Sequence, residues 1–183
     1  MSALSAGRTT SCTSGTCSGG AGADYLYLAN SNEVTSVTTN ASGAATAITM
    51  SSTAANFYQY DFRDESAQFT ETVTVDDTTR SVSVEQIFTG VWPCRNMTDR
   101  NLIMDMAGNA CGMVAVHKEE TGTYWIWGHT GTGSRKRVFV QTVEGDSGAA
   151  LADANQETIT LRCVATTKAV ELIDGETVMS ALI

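Results

Sequence analysis

Four segments of this chain alternate apolar with small polar residues at a period of two. From Gln68 to Asp76 the even positions read Gln68, Thr70, Thr72, Thr74 and Asp76, while the odd positions include Phe69, Val73 and Val75. Val82 and Val84 alternate with Ser81, Ser83 and Glu85. In a third segment Val138, Val140 and Thr142 share one face, with Phe139, Gln141 and Val143 on the other. In a fourth, Ile159, Leu161 and Cys163 oppose Thr158, Thr160 and Arg162. Successive side chains of a strand point to opposite faces, so this spacing predicts sheets with one buried and one wet side. The wet side is mostly short and neutral, which suits a surface that touches something without gripping it.

The rest of the chain adds shorter strands and one helix. Strands are expected at Tyr25-Leu26-Tyr27-Leu28, around Val34 and Val37, and at Ala47-Ile48-Thr49-Met50, with polar turns between them. Residues 57–62 form an aromatic strand with Tyr58, Tyr60 and Phe62 on one face. Asn96 is a suitable N-cap, with Asp99 three residues on favouring a helix N-terminus. Leu102, Ile103, Met106 and Ala107 then make an apolar stripe at helical spacing, expected to pack on the core or a neighbouring subunit, and Gly108 ends it. A hairpin follows, Met113-Val114-Ala115-Val116 against Tyr124-Trp125-Ile126-Trp127, and then a glycine-rich loop over 128–134. Residues 1–23, rich in Ser, Thr, Gly and Ala, are expected to be a flexible arm. Residues 24–169 then form one β domain, and 170–183 a tail without clear period.

At 183 residues with 42% hydrophobic content the chain can bury a real core. Its net charge of −9 argues against a grip on nucleic acid, which needs clustered cations to neutralise phosphates. Arg135, Lys136 and Arg137 form the one basic cluster, expected as a rim salt-bridged to Glu119 and Glu120. Five cysteines at irregular spacing make a poor disulfide framework; pairing of Cys12 with Cys17 stays open, and Cys163 reads as a buried hydrophobe. No apolar leader core and no membrane-length stretch is present.

Catalytic motifs fail on context. Gly145-Asp146-Ser147-Gly148 resembles the nucleophile motif of trypsin-like proteases, but the two histidines, His117 and His129, lie too close upstream for that family's order. The loop from Gly128 enters a strand rather than a helix, so it is not a phosphate loop. Neither metal nor cofactor has a convincing ligand set, and no enzyme is expected.

The order of elements is more telling than any motif: arm, small strands, aromatic strand, two long wet-faced strands, helix, hairpin, glycine loop, two more strands. This order resembles that of phage tail tube proteins, the broader family that includes the type VI secretion tube. It is carried by residues 23–35 (beginning Ala23-Asp24-Tyr25-Leu26-Tyr27), by Phe57-Tyr58-Gln59-Tyr60, by Phe69-Thr70-Glu71-Thr72-Val73, by Tyr124-Trp125-Ile126-Trp127-Gly128 and by residues 147–161. The resemblance implies a mainly β subunit, a β-sandwich or barrel with one flanking α-helix. Six copies would form a ring with a continuous inner β-barrel, and rings would stack into a hollow tube in the virion tail, assembled in the host cytoplasm.

On that basis Gln68, Thr70, Thr72, Thr74, Ser81, Ser83, Glu85, Thr158, Thr160 and Arg162 would line a lumen through which DNA passes without specific binding. Arg162 would be neutralised by Glu85 or another acid. The arm, the loop 51–56 and the tail would make ring-to-ring contacts. Partners would be further copies and other tail proteins (tape measure, terminator, baseplate, and a sheath in contractile tails). Related rings such as a terminator, a neck protein or a secretion tube share these expectations. A monomeric decoration or carbohydrate-binding sandwich would instead expose an aromatic platform, with Trp92, Trp125 and Trp127 as its candidates.

Overall fold

The computed structural model describes residues 25–62, 66–93, 95–129, 136–148 and 155–183. The expected arm over 1–23, with Cys12 and Cys17, lies outside the described residues, as does most of the glycine-rich loop. In chain order the strands are β1 (Tyr25–Asn30), β2 (Val34–Thr39), β3 (Ala45–Met50), β4 (Tyr58–Asp61), β5 (Ala67–Val75) and β6 (Val82–Pro93). Helix α1 (Met97–Ala107) follows, then β7 (Met113–Lys118), β8 (Tyr124–Trp127), β9 (Phe139–Asp146), β10 (Gln156–Ala165), β11 (Val170–Leu172) and helix α2 (Gly175–Ser180). The chain is mainly β, as the alternation implied. One sheet runs β2-β3-β11-β8-β7-β1-β4, and the other β5-β6-β10-β9.

The two sheets pack face to face over a first core. Leu26, Leu28, Tyr60, Phe62 and Trp127 from one meet Phe88, Trp92, Ile159, Leu161 and Cys163 from the other. Tyr60 and Phe62 each stack on Trp92 at 5.9 Å between ring centroids, and Phe62 meets Phe88 edge-on at 5.4 Å. Gly90 of β6 makes this possible, because a Cβ there would lie 2.2 Å from the Phe62 ring. Each large side chain so buried contributes about 1.5–3 kcal/mol.

The seven-stranded sheet curls into a half-barrel around a second core on its other face. Val34, Val37, Ile48, Phe57, Val114, Val116 and Leu172 fill it, and Met179 of α2 closes it. Strand β7 therefore serves both cores, Met113 and Ala115 on one side and Val114 and Val116 on the other. Burial on both faces explains why β1 and β7 read as continuous apolar runs rather than alternations.

Helix α1 starts where the sequence put it. The Asn96 side chain accepts from the Asp99 N–H at 2.8 Å, and its amide donates back to the Asp99 carboxylate at 2.8 Å. Ile103 and Met106 enter the first core; Leu102 is half-buried and Ala107 exposed, so the packing stripe is narrower than expected. At Gly108 the chain stays right-handed (φ −77°), and its N–H still bonds the Met104 carbonyl.

Four expectations are corrected. The stretch 170–183 is part of the domain: β11 is an interior strand, parallel to β3 and antiparallel to β8, and α2 caps the half-barrel. The fold thus has two helices among the described residues, not one. Strand β9 changes face at a bulge beside Thr160/Leu161, so Val140 and Val143 both turn to the core while Thr142 is exposed. Val73, Val75 and Val82 are 45%, 46% and 44% exposed, because the β5–β6 hairpin outruns the sheet that would cover it.

Candidate functional site

The wet face of the four-stranded sheet is the candidate site. Antiparallel register aligns its residues in rows: Thr74 beside Ser83, Thr72 beside Glu85, and Thr70 beside Ile87 and then Arg162. Gln68, Thr89, Thr160 and Thr142 form the next row, and Thr158 lies between Val91 and Glu144. Ser81 falls just beyond β6, where its carbonyl accepts the Asp76 N–H at 2.9 Å. The structure therefore brings Gln68, Thr70, Thr72, Thr74, Ser83, Glu85, Thr158, Thr160 and Arg162 onto one surface, with Ser81 at its rim.

Arg162 finds its counter-charge within this face. Arg162 Nε donates to Glu85 Oε1 at 2.6 Å on a diagonal between β10 and β6. Both side chains are substantially exposed, so the pair adds only about 0–1 kcal/mol to stability. Its effect is on the surface potential, since the guanidinium no longer offers an unopposed charge to a passing anion.

The sequence missed part of the surface. Ile87, Thr89 and Val91 continue it along β6, and Phe139 and Val164 interrupt it with apolar area, each 44% exposed. Strand β6 was cut short in the sequence because Gln86 stands at a core position. There it is 1% exposed, its amide donating to Glu71 Oε1 at 2.9 Å, and that carboxylate also accepts the Ala169 N–H at 2.6 Å. A period of two carried through Gln86 to Phe88, Gly90 and Trp92 was the available signal.

Alternative chemistry lies elsewhere and is not assembled. Ser147 is exposed in a turn closed by the Gly148 N–H to Asp146 Oδ1 at 2.9 Å, and no histidine is among its hydrogen-bond partners within the described residues. His117 lies between the sheets, 3% exposed, with its ring 4.2 Å from Phe69. Burial pushes its pKa down to about 3, leaving it neutral, and neither nitrogen has a partner among the described residues. Burial pushes the Cys163 thiol up to about 11, as suits a core residue.

Near α2, Tyr124 donates to Glu176, which also pairs with Lys118 at 3.0 Å; these contacts hold the Glu176 carboxyl below its usual range and tie the helix to the sheet. Among the described residues no cluster of three or more His, Cys, Asp or Glu could hold a metal, and no helix is long and apolar enough to cross a membrane.

Two further expectations meet the structure here. Lys136 and Arg137 have no ion pair with Glu119 or Glu120; Arg135 lies outside the described residues. The tryptophans make no platform, since Trp92 and Trp127 are 2% and 1% exposed and Trp125 is half-buried. Comparison with protein-family models and with curated proteins returns no match.

Proposed function

We propose that this chain is a structural subunit of a phage tail tube, forming hexameric rings that stack around a lumen for DNA. The observation that carries this is the one wet face of β5-β6-β10-β9, short, mostly neutral, and with its Arg162 paired to Glu85. Hydrated hydroxyls offer a sliding polyanion no cation, and the arginine among them is already paired, so the hydroxyl rows present it with no deep minimum. The sheet's outer strands support the same reading. Among the described residues β5 and β9 have no partner on their outer sides, and unpaired edges are a liability that ring closure removes. A net charge of −9 per subunit keeps free chains apart and the assembled wall averse to phosphate adhesion.

Negative-stain electron microscopy across a concentration series tests the proposal. Hollow tubes or six-fold rings are expected. Dispersed monomers at every concentration, including in the presence of a tail initiator complex, would refute it.

A further inference from the structure

Among the described residues, the β5–β6 hairpin ends in an apolar tip left nearly half exposed. Val73, Val75 and Val82 lie on the face that carries Phe69 and Phe88 into the core further along the same strands, yet each is nearly half exposed. The turn beyond them is held in one shape. Asp76 Oδ1 accepts the Thr78 N–H at 2.9 Å and the Thr79 N–H at 2.6 Å, and Arg80 takes a left-handed conformation (φ 56°). Those bonds, chiefly the one from the Thr79 backbone, also keep the Asp76 carboxyl below its usual range. The tip thus offers three valines beside Asp76 and Asp77, with Arg80 as its own cation.

At the opposite edge of the sheet, where β9 begins, a cleft of about 400 Å³ opens between β9 and β10. Phe139 and Val164 give it apolar wall, and Lys136, Arg137 and Arg162 give it positive charge. Arg162 is answered by Glu85, whereas among the described residues neither Lys136 nor Arg137 has a carboxylate within ion-pair reach. Tip and cleft occupy the same end of the sheet: Glu85 pairs with Val164 and Val84 with Ala165, just short of the tip. Three strand spacings, roughly 14 Å, separate β5 from β9, so the two features of one copy cannot meet.

We infer that the β5–β6 tip of one copy seats in the β9 cleft of a second copy. The valines cover Phe139 and Val164, and Asp76 and Asp77 face Lys136 and Arg137. The inference rests on the tube reading and supplies one of its subunit contacts. Donor and acceptor surfaces differ, so the contact is heterologous and passes from copy to copy, closing as a ring or continuing as a filament. Opposite charge sets the orientation, because tip against tip would bring acids together.

Two variants test this by sedimentation velocity, each first checked for wild-type thermal unfolding. The tip variant carries Val73→Asp with Val82→Asp, at exposed positions; the cleft variant carries Lys136→Glu with Arg137→Glu. Each alone should self-associate at least about tenfold more weakly than wild type. Mixed in equal amounts they should form dimers and stop there, since each supplies the one surface the other lacks. A cleft variant that associates like wild type, a mixture that stays monomeric, or a monomeric wild type would overturn the inference. Dimers in the mixture without wild-type rings or tubes would keep the contact and refute the tube; tubes formed normally by both variants would do the reverse.

Discussion

His117 ties the stability of this fold to pH, and the size of the effect follows from its burial. The ring is packed on Phe69 between the sheets, and desolvation lowers its pKa from 6.5 to about 3. As pH falls through 6.5 the unfolded chain takes up a proton that the native chain refuses, so the native state loses ground. The stability is fully present above pH 6.5 and is lost progressively down to about 3. At about pH 5 the loss from this one group is about 2 kcal/mol, at 1.36 kcal/mol per unit.

His117→Leu removes the difference. It also deletes two buried nitrogens that have no partner among the described residues, which should stabilise the fold at neutral pH by about 1 kcal/mol. Urea denaturation of wild type and variant at about pH 7 and 5, on dilute protein, measures both effects, and comparing the two proteins cancels the carboxylates they share. Wild type should lose about 2 kcal/mol more than the variant on acidification. An equal loss in both would refute the claim that His117 is held neutral by burial.

Two other substitutions probe the packing and the wet face. Gly90→Ala places a methyl against the Phe62 ring, which is itself wedged on Phe88 and Trp92, and should cost about 1–3 kcal/mol in denaturant unfolding. Glu85→Gln should leave stability within about 1 kcal/mol of wild type but strip Arg162 of its counter-charge. On the proposed tube reading, assembled protein carrying it should retain duplex DNA at low salt and release it as salt rises, measured by co-sedimentation; retention no greater than wild type would refute the compensation argument.

The elements legible in the sequence were those whose environment is simple. Strand β10 buries Ile159, Leu161 and Cys163 and exposes Arg162, so its period of two survives into the fold unaltered. The same holds for the Asn96 cap, which is a local bond between residues three apart. Strand β9 defeated the pattern because a bulge adds a residue on one side, and nothing in Phe139 to Val143 announces it. Strand β11 is three residues long and owes its existence to β3 and β8, so tertiary pairing decides it. Most candidate wet-face residues came from alternation alone. Phe139 and Val164 stayed hidden because apolar residues on an exposed face carry no periodic warning.

The placement of β11 has a consequence for how the chain is made. Strands β2 and β3 leave the ribosome before β11, yet they join the seven-stranded sheet through it: Leu172 pairs with Ala45 while Ile173 donates its N–H to the Ala45 carbonyl at 2.9 Å. Until residues 170–173 clear the exit tunnel, the β3 edge of that hairpin has no strand partner among the described residues, and the half-barrel is open along a line between β3 and β8. Synthesis order thus imposes a delay: the seven-stranded sheet is completed only after residues 170–173 have been translated, and a nascent chain stalled before Val170 presents an unfinished sheet to the quality-control machinery.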